Sequence, residues 1–164
     1  MRAPRASARG SSLLEVLISM ALLALALLGA AMMSVQALKL NQGGRYRAQA
    51  VVLSDDIAER IEANKDGAIA GAYALAANAA ASSAKNCTAA PCSSAELAGY
   101  DLADWVTRAS QALPDANWTI TTVAVGNPAT YQIDVGWRDR SATPGSSSTR
   151  TERYSYTTVK TIYR

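Results

Sequence analysis

The sequence predicts an α+β fold, in which one long N-terminal helix packs on an antiparallel sheet of three or four strands. Three observations carry this prediction. A stretch of 23 residues from Val16 to Leu38 contains no charge. Apolar residues at helical spacing follow it. After Pro114 the pattern changes to the alternation that is typical of half-buried strands.

The uncharged stretch is long enough to cross a membrane as a helix. At 23 residues it would be about 35 Å long, against about 30 Å for the core of a bilayer. Residues 11–38 are therefore expected to form a transmembrane segment. Glu15 is the only charged residue between Arg9 and Lys39. A carboxylate inside a membrane costs about 2.5–3.5 kcal/mol, less near the interface, so Glu15 is expected to have a purpose and a partner.

Excess positive charge is confined to the N-terminus. Arg2, Arg5 and Arg9 precede the apolar stretch, and the rest of the chain has 13 basic and 13 acidic residues. The positive-inside rule places such a basic leader in the cytoplasm and the remainder in the periplasm. The balanced charge of that remainder argues against nucleic-acid binding.

A second, amphipathic half of the helix is predicted by apolar residues spaced 3 or 4 apart. They are Tyr46, Ala50, Leu53, Ile57 and Ile61. We place the helix from about Ser12 to Asn64 and expect Gly43-Gly44 to weaken or kink it. Its acidic residues are interpreted as a solvated face, because no His, Cys or glycine-rich loop accompanies them as in a metal site. They are Asp55, Asp56, Glu59 and Glu62.

The two cysteines, Cys87 and Cys92, are expected to form a disulfide. An oxidising compartment outside the cytoplasm makes a disulfide the default. A zinc or redox site is poorly supported, because the chain has no His and four residues separate the cysteines. We therefore predict no metal and no cofactor. The bridge would lie at the end of a long connecting loop, residues 66–92.

A second helix is predicted to follow the loop and to end before Pro114. Ser93 and Glu96 have the spacing of a capping box, and the helix should continue to about Ala112. Its predicted buried residues are Leu97, Tyr100, Trp105, Ala109 and Ala112.

Three segments with strand character follow. Residues 118–125 and the alternating segment Tyr131–Arg138 flank Gly126-Asn127-Pro128, which predicts an antiparallel hairpin. Residues 153–163 form the third strand. Its apolar residues do not alternate cleanly, which suggests a bulge or an edge position.

The N-terminus resembles a known processing signal. A basic leader ends in Gly10-Ser11, and Glu15 is the fifth residue after the glycine, directly before the apolar helix. This resembles the cleavage and methylation signal of type IV prepilins and type II secretion pseudopilins, although the family usually has Phe where this chain has Ser11. The resemblance implies that prepilin peptidase removes residues 1–10 and that the Ser11 amine is methylated. It also implies that Glu15 pairs with the amino terminus of a neighbouring subunit during assembly.

The rest of the chain resembles minor pilins of the PilV type. Residues 55–64, 71–73 and 100–105 carry this resemblance, with the two cysteines between them. It implies a type IV pilin-like fold, with residues 39–164 as a periplasmic head on an inner-membrane anchor. The implied role is a non-enzymatic subunit of the tip or initiation complex of a pilus that drives twitching motility. The implied partners are other minor and major pilins, prepilin peptidase, the inner-membrane assembly machinery and a tip adhesin.

Other interpretations of the sequence stay open. A plain signal anchor would explain the leader and the apolar stretch, as would a secretory signal peptide cut after Val35-Gln36-Ala37, but neither needs Gly10 and Glu15. Among functions, the first alternative is a pseudopilin of a type II secretion system. A further alternative is a pilus-tip module that binds DNA or surfaces.

Overall fold

A computed structural model describes residues 13–140 and 151–164. The helices are α1 (Leu13–Ala63), α2 (Lys65–Ile69) and α3 (Ser94–Ala112). The strands are β1 (Asn117–Ala124), β2 (Ala129–Arg140) and β3 (Thr151–Ile162). The chain divides into two units, the first ending at Lys39 and the second, the head, beginning at Leu40.

In the first unit, α1 presents only exposed side chains. Two hydroxyls in this segment bond to the helix itself. Ser19 Oγ donates to the Glu15 carbonyl (2.7 Å) and Ser34 Oγ to the Ala30 carbonyl (3.0 Å). Polar groups that are satisfied in this way can enter a hydrocarbon environment at a lower cost.

In the head, the predicted stripe of α1 is confirmed as the centre of the core. Ala50, Leu53, Ile57 and Ile61 are buried, and Tyr46 is half-buried. Ser54 and Ala58 are also buried because they lie beside the stripe on the same helix face.

Gly43-Gly44 does not interrupt the helix, which the structure continues to Ala63. At Gly43 the space for a side chain is limited. A Cβ at this position would lie 2.8 Å from Oδ2 of Asp139 on β2. The missing side chain therefore leaves room for the Asp139 carboxylate beside α1.

The sheet has three antiparallel strands in the order β1-β2-β3. Besides Ala129 at its start, the central strand has four buried side chains that alternate along it, as predicted. They are Tyr131, Ile133, Val135 and Trp137. The register is irregular in β1, between Thr122 and Ala124. β3 pairs with β2 without interruption and lies at the edge, so of the two explanations for its mixed pattern the edge position is correct.

The segment 66–92 is more ordered than the predicted connecting loop. It begins with α2, and Tyr73 and Leu75 are buried. Leu75 exchanges two backbone hydrogen bonds of 2.9 Å with Ile120, which adds a short bridge beside β1. No periodicity is visible in this part of the sequence, since these large side chains lie among small residues.

The capping box at the start of α3 is confirmed. Ser93 Oγ accepts the Glu96 backbone N–H (3.3 Å), and the Glu96 carboxylate accepts the Ser93 backbone N–H (2.7 Å). The Ser93 backbone N–H is the main reason that the pKa of Glu96 is lowered, and the Ser93 side chain and Lys85 add to it.

The predicted buried face of α3 is correct at Trp105 and Ala109 and wrong at three positions. Leu97, Tyr100 and Ala112 are half-buried. Ala98, Asp101 and Leu102 are buried in their place. The buried face of α3 includes Asp101 because the carboxylate of this residue has hydrogen-bond and ion-pair partners inside the head.

Candidate functional site

The first half of α1 is the candidate membrane anchor. The helix contains an 18-residue window of mean hydropathy 2.5 with none of its residues buried, and by length and composition it could cross a membrane. Leucine and methionine side chains in this segment are mostly more than half exposed. A surface of this kind is suited to lipid or to the apolar helices of other subunits.

Glu15 lies in the first turn of α1, at the beginning of this apolar surface. Its backbone carbonyl accepts the Ser19 hydroxyl. Within the described residues its carboxylate has no hydrogen bond or ion pair. A negative charge in the first turn is favourable with the helix dipole, yet the carboxylate still requires a cation when it enters a membrane.

Gly10 and Ser11, the predicted cleavage and methylation residues, lie outside the described residues. The structure therefore describes Glu15 and the helix that follows the proposed cleavage point.

The Cys87–Cys92 disulfide is present, with a Cα–Cα distance of 5.5 Å. It closes a small loop directly before the capping box of α3. Lys85, two residues before the loop, has its Nζ 3.2 Å from the Glu96 carboxylate, so an ion pair also connects the start of the loop with the first turn of α3. These contacts hold the loop at one end of the helix.

We expect the double variant Cys87→Ser, Cys92→Ser to destabilise the head by about 2 kcal/mol, since the unfolded chain loses the restraint of a short loop. Urea unfolding of oxidised and reduced wild type, followed by circular dichroism, measures the difference. The Ser variant should match the reduced wild type. Equal midpoints for oxidised and reduced protein would show that the bridge contributes nothing.

An ionic cluster joins α1 to α3. Arg60 Nη2 lies 2.9 Å from Asp104 Oδ2 and 3.2 Å from Asp56 Oδ2, and its Nη1 lies 3.6 Å from Asp101 Oδ1. Burial opposes the charge of Arg60, but the hydrogen bond to Asp104 and the charge of Asp56 outweigh it and raise its pKa. Arg108 also reaches Asp104, at 2.8 Å.

Tyr73 and Asn64 extend this cluster into the core. The Tyr73 hydroxyl donates to Asp101 Oδ2 (2.7 Å), and Asn64 Nδ2 donates to the Tyr73 hydroxyl (3.1 Å) and to the Ser94 carbonyl (2.7 Å). Burial, aided by Asp101, raises the pKa of Tyr73, so the hydroxyl keeps its proton and remains a donor. The end of α1, residue 73 and α3 are thus held together by polar contacts.

The sequence contained a signal for this cluster. Asp101 falls four residues before Trp105, within the apolar face of α3. A carboxylate in that position needs a buried partner, and residues 55–64, 71–73 and 100–105 are the segments that carry the resemblance to minor pilins. The cluster shows what the three segments have in common: each contributes a member. Across residues 13–140 and 151–164, no group of three or more His, Cys, Asp or Glu is placed to hold a metal ion.

Comparison with protein families gives two adjoining matches. Residues 5–31 match the prokaryotic N-terminal methylation motif. Residues 32–103 match the Tt1218-like family, described as type IV pilin Tt1218. No curated protein and no solved structure matches the chain at a significant level. The second match covers the head part of α1, the disulfide loop and the Arg60 cluster except for Asp104 and Arg108, and it ends within α3. The long apolar helix packed on a three-stranded antiparallel sheet is consistent with a type IV pilin fold, and residues 32–103 are similar to the family of type IV pilin Tt1218.

Proposed function

We propose that this chain is a minor pilin: a non-enzymatic subunit of the tip or initiation complex of a type IV pilus. Prepilin peptidase cleaves it after Gly10, the new amino group of Ser11 is methylated, and the periplasmic head stays anchored in the inner membrane until assembly. Its partners are other minor and major pilins, the assembly machinery and a tip adhesin. The PilV-type resemblance of residues 55–64, 71–73 and 100–105 favours a minor over a major pilin.

One observation carries the proposal. A methylation motif that contains Gly10, Ser11 and Glu15 continues without a gap into a type IV pilin match. The exposed apolar surface of α1 supports the proposal, because it can contact the apolar helices of other subunits. Glu15 at the start of that surface supports it as well, because a helix that only anchors a protein in the membrane needs no carboxylate there. The Arg60 cluster supports a structural role, since its charged groups are used in holding α1 to α3.

Deletion of the gene separates the pilus from the secretion alternative. We expect loss of pilus-dependent twitching motility with normal protein secretion, and recovery of motility when the wild-type chain is supplied in trans. A defect in secretion with normal motility would instead assign the chain to a type II secretion pseudopilus.

The processing step is tested at Gly10. We expect Gly10→Ala, or a bulkier residue, to leave the leader attached, because the residue before the scissile bond must fit the peptidase. Intact-mass measurement of membrane protein distinguishes a chain that begins at Met1 from one that begins at methylated Ser11. Ser11→Phe is the matched control and should still be cleaved. A wild-type chain that begins at Leu38 would show signal-peptide cleavage and contradict the proposal.

A further inference from the structure

The charged residues between Glu15 and Asp55 are all basic: Lys39, Arg45 and Arg47. Lys39 ends the uncharged stretch, and the two arginines lie on α1 at the beginning of the head. The chain beyond the leader is balanced in charge overall. An excess of positive charge is therefore confined to the part of the head that follows the anchor directly in the chain.

Arg45 and Arg47 are exposed and differ from the other basic residues of the head. Beyond Arg47, every basic side chain that the structure describes lies in an ion pair. Within the same described residues, the side chains of Arg45 and Arg47 form neither an ion pair nor a hydrogen bond. Two guanidinium groups are thus available to an anion outside the chain.

Helix geometry directs both side chains toward the anchor. A helical side chain leans toward the N-terminus and covers the turn before its own Cα. Arg45 follows Leu38, the last residue of the uncharged stretch, by about 10 Å of helix, and leaning back by one turn shortens this distance by about 5 Å. The remaining distance of about 5 Å matches the polar headgroup layer, which is about 5–7 Å thick on each side of the bilayer core.

Arg45 and Arg47 also lie on opposite sides of α1. Residues two apart in an α-helix are separated by about 160° around the axis. A docked helix or strand covers one side of α1 and would pair with one of the two arginines. The surface of a bilayer surrounds a helix that leaves it and presents phosphate oxygens in every direction. The arrangement therefore fits a lipid surface better than a protein partner.

We propose that Arg45 and Arg47 bind the phosphate groups of anionic phospholipids at the bilayer surface on the side of the head, and thereby fix how far α1 enters the membrane. Guanidinium groups suit this role, because they pair with phosphate through two parallel hydrogen bonds. The proposal rests on the membrane anchor and is independent of the role in a pilus.

The lipid selectivity of the full-length protein in bilayers tests the proposal. The protein is reconstituted in phosphatidylcholine vesicles with a trace of spin-labelled phosphatidylglycerol or phosphatidylcholine, and the motionally restricted fraction of each label gives their relative association constant. We expect wild type to prefer phosphatidylglycerol. The double variant Arg45→Gln, Arg47→Gln should lower that preference at least fivefold, the effect of one basic residue at ~1 kcal/mol. High salt should weaken the wild-type preference, because it screens surface charge.

Two further variants separate these arginines from charge in general. Lys65→Gln, Lys85→Gln removes the same charge from residues that have carboxylate partners, and it should keep the wild-type preference. Arg45→Lys, Arg47→Lys keeps the charge and should retain most of the preference.

An unchanged preference in the Arg45→Gln, Arg47→Gln variant would overturn the proposal, and a simultaneous loss of co-purifying pilins would assign the arginines to a protein contact instead. Flotation of the vesicles distinguishes this failure from failure of the anchor. A wild-type chain that does not float with the vesicles would contradict the anchor and, with it, the lipid contact.

Discussion

Glu15→Leu is expected to abolish incorporation into the pilus while leaving membrane insertion and cleavage after Gly10 intact. After cleavage the Ser11 amine is four residues from Glu15, about one helical turn, so both charges would lie near the edge of the hydrocarbon. Each charge is costly there alone, and pairing offsets the cost. An ion pair between the amine of one subunit and Glu15 of the next would fix the axial position of one helix relative to the other. The remaining contacts between these helices are apolar and do not define that position. Methylation keeps the positive charge.

Co-purification with partner pilins and the pilin content of sheared pili measure this effect. Glu15→Asp keeps the charge and should retain part of the assembly, whereas Ser19→Ala removes only an intrahelical hydrogen bond and should assemble normally. Intact mass confirms that each variant is processed. Recovery of Glu15→Leu with its partner pilins at the wild-type level would contradict the role of Glu15.

Trp105→Ala is expected to destabilise the head by about 3–5 kcal/mol, a large part of the ~5–15 kcal/mol typical of a whole domain. Trp105 is fully buried, and its Nε1–H donates to the Leu53 carbonyl of α1 at 2.8 Å. The substitution removes this bond and leaves a cavity between α3 and α1. Urea unfolding of residues 40–164, which contain every core residue that the structure describes, gives the change in unfolding free energy.

Two variants separate the cavity from the hydrogen bond. Trp105→Phe keeps most of the buried ring and loses only the donor, so its cost should be nearer to 1–3 kcal/mol, the penalty of one missing buried bond. Trp118→Ala is the matched control, because Trp118 is half-buried and also donates to a carbonyl, that of Ala79. A cost for Trp105→Ala no greater than that for Trp118→Ala would show that Trp105 is not central to the core.

Elements with strong local signals could be predicted from the sequence. The stripe of α1, the Ser93 capping box and the alternation in β2 each depend on neighbours along the chain, and the structure confirms all three. The disulfide could be expected from the compartment and the lack of other cysteines. The boundaries of the strands agree with the structure to within about two residues because turn residues mark them.

Features that depend on distant contacts could not be read in this way. The burial of Asp101 requires Arg60 and Tyr73, which lie 41 and 28 residues before it in the chain. The pairing of Leu75 with Ile120 has no periodic signal, because one residue cannot show a period. Gly43-Gly44 predicts a weakened or kinked helix, and nothing near it in the sequence shows that the Asp139 carboxylate, from a strand much later in the chain, lies 2.8 Å from where a Cβ of residue 43 would be.

The burial of α1 in the head also has a mechanical consequence. The helix that enters the anchor continues into the core, where Ala50, Leu53 and Ile57 are enclosed. Tension applied to the anchor would therefore reach the head along the buried part of α1, and many packed side chains would resist it together. The contacts of Arg60 with α3 lie near the C-terminal end of α1 and would oppose withdrawal of the helix from the core. In a head attached through a surface loop, the same tension would instead break the contacts next to the loop first and the others one after another.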